Sequence, residues 1–311
     1  MSFVVVTGAG ATARATANQF ADSGERVRQL TRSGAGVNHP LVERLATDVT
    51  DADRLTELTK GARVLVNCAI PAYDRWATEV PPMATALLTA VERTGAGYVM
   101  LGNTYGYGHV AGPITEDLPM AATTVKGTVR ARMWLDALAA DEAGRARVTE
   151  VRAGAFLGAG AISGYTLFVP GPVLAGEVAG YPGDLDVAHS WAYTEDVART
   201  LVAASRDDRA WGRAWHAPVT STLSVRALTT RLAELAGVPE PTLTRIHAGQ
   251  LTAMAAETPL FAELLEMLYS TEHPHLLDAT YTEAMLGVHP TPLDTVLRET
   301  VDALRTVEAA G

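Results

Sequence analysis

The residues Thr7-Gly8-Ala9-Gly10-Ala11-Thr12-Ala13 follow a short apolar run, Phe3-Val4-Val5-Val6, and open a stretch of helical periodicity. Gly8, Gly10 and Ala13 fill a Gly-x-Gly-x-x-Gly/Ala pattern. In such a turn the first glycine permits a tight reversal, and the second lets the backbone approach a pyrophosphate with no Cβ in the way. The small third residue allows close helix–strand packing. Free N–H groups at the start of the helix favour phosphate oxygens. Within a βαβ unit spanning 3–30, this chemistry reads as dinucleotide binding. The end of the next apolar run selects the dinucleotide. Val27-Arg-Gln-Leu-Thr-Arg32 offers no acid to accept from a ribose 2′-OH. Arg32, with Arg14 at the helix start, suits a 2′-phosphate, because a guanidinium fork makes bidentate, charge-assisted bonds. The bland alternative is a pair of solvated surface arginines. The expected cofactor is NADP(H) rather than NAD(H).

The elements needed to position this turn alternate at short intervals. Phe3–Val6 reads as a strand buried on both faces. Ala13–Ser23 reads as a helix stopped by Gly24, and Arg26–Leu30 as a second strand. Val42–Ala46 reads as a short strand or helix end. Asp51–Lys60 (helix), Arg63–Cys68 (strand), Pro82–Arg93 (helix) and Gly97–Leu101 (strand) continue the pattern. Thr123–Ala143 then reads as a long helix and Arg147–Arg152 as a strand. Parallel neighbours require crossovers, so the order predicts an α/β fold with a doubly wound parallel sheet. Residues 156–190 carry ten Gly and Pro without a period, which suits a loop-rich pocket wall. Glu195–Ala204, Val225–Ala236 and an amphipathic 251–270 follow as helices, the last offering Leu264, Leu265, Met267 and Leu268 for packing.

Composition narrows the function classes. At 311 residues with 48% hydrophobic and 19% charged side chains, the chain has ample core and is not mainly disordered. A net charge of −10 argues against a duplex-tracking surface, so no nucleic-acid partner is expected. The single cysteine, Cys68, can form neither an internal disulfide nor a Cys-rich zinc site. No metal site is expected, because proline separates the closest histidine pair, His273 and His275, and prevents helical presentation. Neither a Gly-x-Ser-x-Gly elbow nor a P-loop occurs. Glu116-Asp117 reads as a turn or cap element, and Arg130 with Arg132 as solvent-facing. Without a membrane-length apolar run or a signal-like start, a cytoplasmic protein with no membrane partner is expected.

The chain resembles the short-chain dehydrogenase/reductase superfamily, in its extended or atypical NAD(P)-dependent epimerase/dehydratase branch. The stretches that carry the likeness begin with Val5-Val-Thr-Gly-Ala-Gly10, Asp48-Val-Thr-Asp51 and Val66-Asn-Cys-Ala-Ile-Pro71. They continue with Asn103-Thr-Tyr-Gly-Tyr-Gly108, Pro113-Ile-Thr-Glu-Asp117 and Lys126-Gly-Thr-Val-Arg130. Val151-Arg-Ala-Gly-Ala-Phe-Leu-Gly158, Trp191-Ala-Tyr-Thr-Glu-Asp-Val-Ala198 and Pro290-Thr-Pro-Leu293 complete the order. The resemblance implies that Asp48 and Val49 border the adenine and that Cys68, Ala69 and Ile70 line the cofactor. It places Gly102–Tyr107 beside the nicotinamide and gives Lys126 to its ribose. It implies a Rossmann-type domain of 1–155 with 191–215, and a smaller substrate domain of 156–190 with 216–311. The helices 82–93 and 124–143 match the four-helix dimer contact common in the superfamily, and their alanine-rich faces leave a homodimer open.

The catalytic pattern departs from that family. Its Tyr-x-x-x-Lys places a phenol four residues before the lysine, and here that position is Ala122. The family's Ser or Thr falls on Asn103 if Tyr107-Gly108 is the Tyr-Gly pair, or on Leu101 if Tyr105-Gly106 is. One reading gives proton donation to Tyr105 or Tyr107, aided by the Lys126 cation, with Asn103 orienting the substrate and Tyr193 as a further candidate. The chain is then an NADPH-dependent oxidoreductase that reduces a carbonyl-like group of a small organic substrate. The alternatives are a redox-neutral isomerase or epimerase using bound NADP, and a non-catalytic NADP-responsive regulator.

Overall fold

The computed structural model describes residues 3–310. The first strand, β1 (Phe3–Thr7), is followed by α1 (Ala11–Asp22), β2 (Arg26–Thr31), β3 (Val42–Ala46), α2 (Ala52–Thr59) and β4 (Ala62–Asn67). Next come α3 (Trp76–Thr94), β5 (Gly97–Asn103), α4 (Val125–Glu142) and β6 (Val148–Ala153). After β7 (Ala155–Leu157), α5 (Gly164–Phe168), α6 (Pro170–Leu174), β8 (Ala179–Pro182) and β9 (Trp191–Tyr193), the chain re-enters the large layer. It does so through α7 (Thr194–Arg206) and β10 (Arg213–His216). The last part comprises α8 (Val225–Ala236), β11 (Leu243–Ile246), α9 (Ala248–Ala255), α10 (Pro259–Glu266), α11 (Tyr269–Glu272), α12 (Thr280–Leu286) and α13 (Leu293–Ala310).

Seven strands pair in the order β10-β6-β5-β4-β1-β2-β3, all parallel. This is a doubly wound, Rossmann-type α/β sheet. The chain leaves β1 in one direction and resumes at β4 in the other, so a crevice opens at the carboxyl ends of these two strands. β1 shows why the sheet is covered on both faces. Val4, Val5 and Val6 are all fully buried, with Val4 and Val6 in the cluster under α1 and α7 and Val5 in the cluster under α2 and α3. Each such valine contributes roughly 1.5–3 kcal/mol by leaving water. Ala13, Ala17 and Ala21 let α1 lie close against Val197 and Leu201 of α7.

Several elements differ from their sequence patterns. The helix expected from Pro82 begins at Trp76, with Pro81 and Pro82 inside it. Interior prolines cost about 3 kcal/mol each, and here the burial of Trp76, Val80 and Met83 against the sheet offsets that cost. The single amphipathic helix expected over 251–270 is three short ones. Thr258 precedes Pro259 and is extended (φ −136°, ψ 112°), because the proline ring disfavours helical geometry in the residue before it. Arg130 is not solvent-facing. It is 8% exposed, donates to the Leu101 carbonyl at 3.1 Å and lies over the Trp76 ring, whereas Arg132, on the opposite side of the helix, faces solvent.

The segment after α11 stitches the two halves of the chain together. His275 N–H donates to the Ala188 carbonyl (3.1 Å), and the Ser190 N–H donates to the His275 carbonyl (2.9 Å). On its other side Ile114 N–H donates to Leu276 (2.7 Å), and Asp278 N–H to Ile114 (2.8 Å). The rings of His189 and His275 are buried beneath this stitch, and burial pushes both down to about 4. Both stay neutral in the folded chain but gain protons near 6.5 when unfolded. Between those values the unfolded state binds more protons, so stability rises with pH. Urea unfolding should give constant stability above pH 7 and a steady loss from about pH 6.5 towards 4. His275→Gln should make that loss shallower; an unchanged slope in the variant contradicts the assignment.

Candidate functional site

The turn after β1 is built to pass close to the end of β4. Gly8 has φ +104°, and a Cβ there would stand 3.0 Å from the Cys68 carbonyl and the Ala69 nitrogen. Gln29, fully buried on β2, braces the turn from the other side. Its amide donates to the Gly8 carbonyl (2.9 Å) and accepts from Val37 N–H (2.9 Å). Gly10 caps α1 without any side-chain hydrogen bond, and a Cβ on it would meet nothing within 4 Å. The helix start therefore presents free N–H groups to open space, as a pyrophosphate seat requires. Ala13 is buried against the sheet, as close helix–strand contact needs.

The residues around this seat fit a dinucleotide. Arg14 and Arg32 are exposed, and neither enters an ion pair among the described residues. Asp48 accepts from the Thr50 N–H (2.9 Å) and hydroxyl (2.8 Å). These bonds hold its carboxyl below the usual range, with a smaller contribution from the nearby Arg32 cation. Val49 packs on the second core cluster. At the exit of β4, Asn67 accepts from the Thr7 hydroxyl (2.6 Å) and from Ala69 N–H (3.1 Å), locking the two strand ends together. Burial pushes the Cys68 thiol up to about 12, so it is a neutral wall here, with Ala69 half-buried and Ile70 exposed.

A second cluster forms where α4 begins. Thr124 caps the helix, and Lys126 in its first turn is only 2% exposed. The Lys126 ammonium pairs with Glu263 and, at 2.9 Å, with Glu266, both on α10. Glu266 also accepts from the Lys126 backbone N–H (2.7 Å), so one carboxylate holds both the helix start and the side chain. The ammonium lies over the Tyr73 ring, 4.7 Å from its centroid, a favourable cation–π placement. The Tyr73 hydroxyl donates to that of Tyr105 (3.2 Å), and the Tyr105 ring sits 5.9 Å from Trp76. Burial raises both phenols well above their ordinary range, so both are protonated at neutral pH. The Asn103 side chain accepts from the Tyr105 N–H (3.2 Å), fixing the turn that carries this phenol. Ala122 N–H donates to the Gly106 carbonyl (3.2 Å), so the segment before α4 lies against that same turn.

Tyr107 lies in a different environment. It is 1% exposed and joins a buried network at the ends of β6 and β10. Arg152 pairs with Glu150 (2.6 Å) and donates to the Tyr107 oxygen (2.6 Å). His216 Nδ1 lies 2.8 Å from the Asp278 carbonyl, which can only accept, so Nδ1 carries the proton. Nε2 must then accept from the Tyr107 hydroxyl, at 2.7 Å. Both hydrogen-bonding roles of the Tyr107 phenol are thus occupied, and burial pushes it up to about 12. The Tyr193 hydroxyl donates to Glu299. Of the tyrosines named from the sequence, Tyr105 is the one grouped with Lys126.

Glu263, Glu266 and the part played by Tyr73 were not singled out from the sequence. Glu263 and Glu266 are three residues apart and so share one helix face, a signal that was present. Only the fold shows what they face. Glu116, read as a turn residue, accepts from the Thr282 hydroxyl (2.9 Å) and anchors α12. Among the described residues, no group of three or more His, Cys, Asp or Glu could hold a metal ion, and no helix is long and apolar enough to cross a membrane.

Comparison with known proteins places this geometry in context. A dTDP-glucose 4,6-dehydratase from Bacillus anthracis, solved with NAD, superposes with a TM-score of 0.81 at 16% identity, covering 99% of this chain and 98% of that one. MoeE5, solved with UDP-glucuronic acid and NAD, gives a TM-score of 0.80 at 20% identity, covering 98% of this chain and 100% of that one. A UDP-glucose 4-epimerase from Thermotoga maritima, solved with UDP-glucose, gives 0.78 at 18%, covering 99% and 100%. At these identities the likeness is one of fold. No curated protein sequence matches the chain. The model of the NAD dependent epimerase/dehydratase family matches residues 4–215, from β1 to the end of the large sheet. The chain belongs to the NAD dependent epimerase/dehydratase family.

Proposed function

We propose that the chain is an NADP(H)-dependent oxidoreductase acting on a carbonyl-like group of a small organic substrate, with Tyr105 in place of the family's usual phenol. The observation that carries this reading is the contact of Ala122 with the turn that bears Tyr105. The phenol absent from one side of that contact has a counterpart on the other. Residues 1–155 with 191–215 would bind the dinucleotide, and 156–190 with 216–311 would close over the substrate. Gly8 and Gly10 would admit the pyrophosphate, with Cys68, Ala69 and Ile70 along the crevice. Arg32 and Arg14, both free of carboxylate partners among the described residues, support the 2′-phosphorylated form.

When bound, NADPH would supply the hydride. The chain's part is to place a proton and hold charge. Tyr105 donates its hydroxyl proton to the developing alkoxide, and Tyr73, already donating to that oxygen at 3.2 Å, steadies the phenolate left behind until water returns the proton. Arg130 is the cation that eases a phenolate at Tyr105, while Lys126, its charge met by Glu263 and Glu266, holds the Tyr73 ring beside it. Asn103 keeps the Tyr105 turn in place through its N–H.

Calorimetry should show NADPH and NADP binding more tightly than NADH and NAD. Arg32→Ala should weaken NADPH by about ten- to a hundredfold, the equivalent of losing about 1.5–3 kcal/mol of charge-assisted hydrogen bonding. Its affinity for NADH should not change; equal loss for both cofactors would remove Arg32 from the 2′-phosphate site.

Tyr105→Phe should lower kcat by about 10²–10⁴-fold with little change in the KM for NADPH, whereas Tyr107→Phe should act on stability instead. Following NADPH absorbance with carbonyl substrates separates the reactions. Net oxidation is the expected result. Turnover without net absorbance change would identify a redox-neutral isomerase, and binding without any turnover a regulator.

A further inference from the structure

The turn that carries Tyr105 is anchored at its start by a distant ring. Thr104 precedes the short helical turn Tyr105–Tyr107, a position from which a threonine hydroxyl can accept from a backbone N–H ahead of it. Here the hydroxyl makes no such bond. The Asn103 side chain accepts from the Tyr105 N–H (3.2 Å), and the Thr104 carbonyl accepts from the Tyr107 N–H (3.1 Å). The Thr104 hydroxyl is left over, on a residue only 3% exposed. A buried hydroxyl without a partner is costly, and this one meets His275, whose Nε2 lies 2.7 Å away. A hydroxyl can donate or accept, so the bond forms with either tautomer of the ring.

The ring has a rigid mount. On one side the His275 backbone is bonded to Ala188 and Ser190, and on the other the next residue accepts from Ile114. Leu277 N–H adds a bond to the Ser190 hydroxyl (2.9 Å). The far end of the turn is fixed separately, because the Tyr107 hydroxyl is held by Arg152 and His216. Two histidines from the C-terminal part of the chain thus hold this turn, one at each end, with Tyr105 between them. Where the turn sits decides whether the Tyr105 phenol stays within 3.2 Å of Tyr73.

We propose that His275 is a positioning residue for Tyr105, acting through the Thr104 hydroxyl to set the turn that aims this phenol at the substrate. The proposal rests on the preceding assignment of Tyr105 as the proton donor. A general acid must lie within hydrogen-bond reach of the atom it protonates, and a displacement of about 1 Å can cost a hundredfold in rate. Loss of the bond acts on proton transfer and leaves the phosphate seat at Gly8 and Gly10 as it is.

Thr104→Val in the full chain removes the hydroxyl at nearly constant shape and leaves the backbone bonds of His275 intact. With NADPH and a carbonyl substrate it should lower kcat by about ten- to a hundredfold, with the KM for NADPH within about twofold of the parent's. His275→Asn, whose amide ends near the Nδ1 position, should behave alike. His275→Gln, whose amide reaches the Nε2 position, and Thr104→Ser, which keeps the hydroxyl, should return kcat to within about threefold. Thr104→Val combined with His275→Asn should lose no more than either alone, because both remove one bond. Fluorine NMR of the fluorotyrosine-labelled chain gives a readout independent of turnover, the Tyr105 resonance being the one missing from Tyr105→Phe. That resonance should move in Thr104→Val and His275→Asn and return in His275→Gln. If the parent turns over no carbonyl compound, the oxidoreductase reading fails, and the fluorine shift still decides whether His275 sets the turn. An unmoved Tyr105 resonance in Thr104→Val, an unchanged kcat in a chain that turns over, equal losses in Thr104→Ser and Thr104→Val, or additive losses in the double variant overturns the proposal.

Discussion

An ammonium group cannot be removed from water without opposite charge at hand, and Lys126 is 2% exposed. That constraint dictates much of what surrounds it. α10 must lie where Glu263 and Glu266 reach the ammonium, which brings the C-terminal part of the chain down onto the start of α4. Glu266 adds a bond to the Lys126 backbone N–H, so the helix start and the helix that covers it are fixed by the same side chain. Tyr73 completes the enclosure from the loop after β4. Three segments far apart in sequence are thus held by one cation.

The sheet beneath supplies a rigid base for this arrangement. Its switch point forces the ends of β1 and β4 together, and only a residue without a side chain fits where Gly8 passes Cys68 and Ala69. Gln29 and Asn67 tie the neighbouring loops to that turn with buried hydrogen bonds. The two tyrosines of Tyr105-Gly-Tyr107 show how finely such a frame assigns roles. Two residues apart, one phenol faces Tyr73 and the lysine cluster, and the other is consumed by Arg152 and His216. The second is part of what holds β6, β10 and the segment before α12 together, because His216 in turn donates to Asp278.

The order of strands and helices was readable because each strand of a covered sheet is a continuous apolar run and each crossover helix is amphipathic. Thr258-Pro259 marked the break between α9 and α10, although hydrophobic spacing alone suggested one helix across it. Arg130 misled for a related reason. Its type and position on α4 indicate solvent, but Trp76 and the Leu101 carbonyl provide a stacking face and an acceptor inside the fold.

What the sequence determined by itself is local: the glycine turn after β1, the absence of an acid after β2, and the alanine four residues before Lys126 follow from residue type and spacing within a few positions. The tertiary structure alone decided which phenol shares a neighbourhood with the lysine and which carboxylates neutralise it. Those pairings span more than 130 residues in the case of Lys126 with Glu263 and Glu266. Spacing along a helix tells which side chains share a face, but the partner of that face is set only when packing brings distant segments within hydrogen-bonding range.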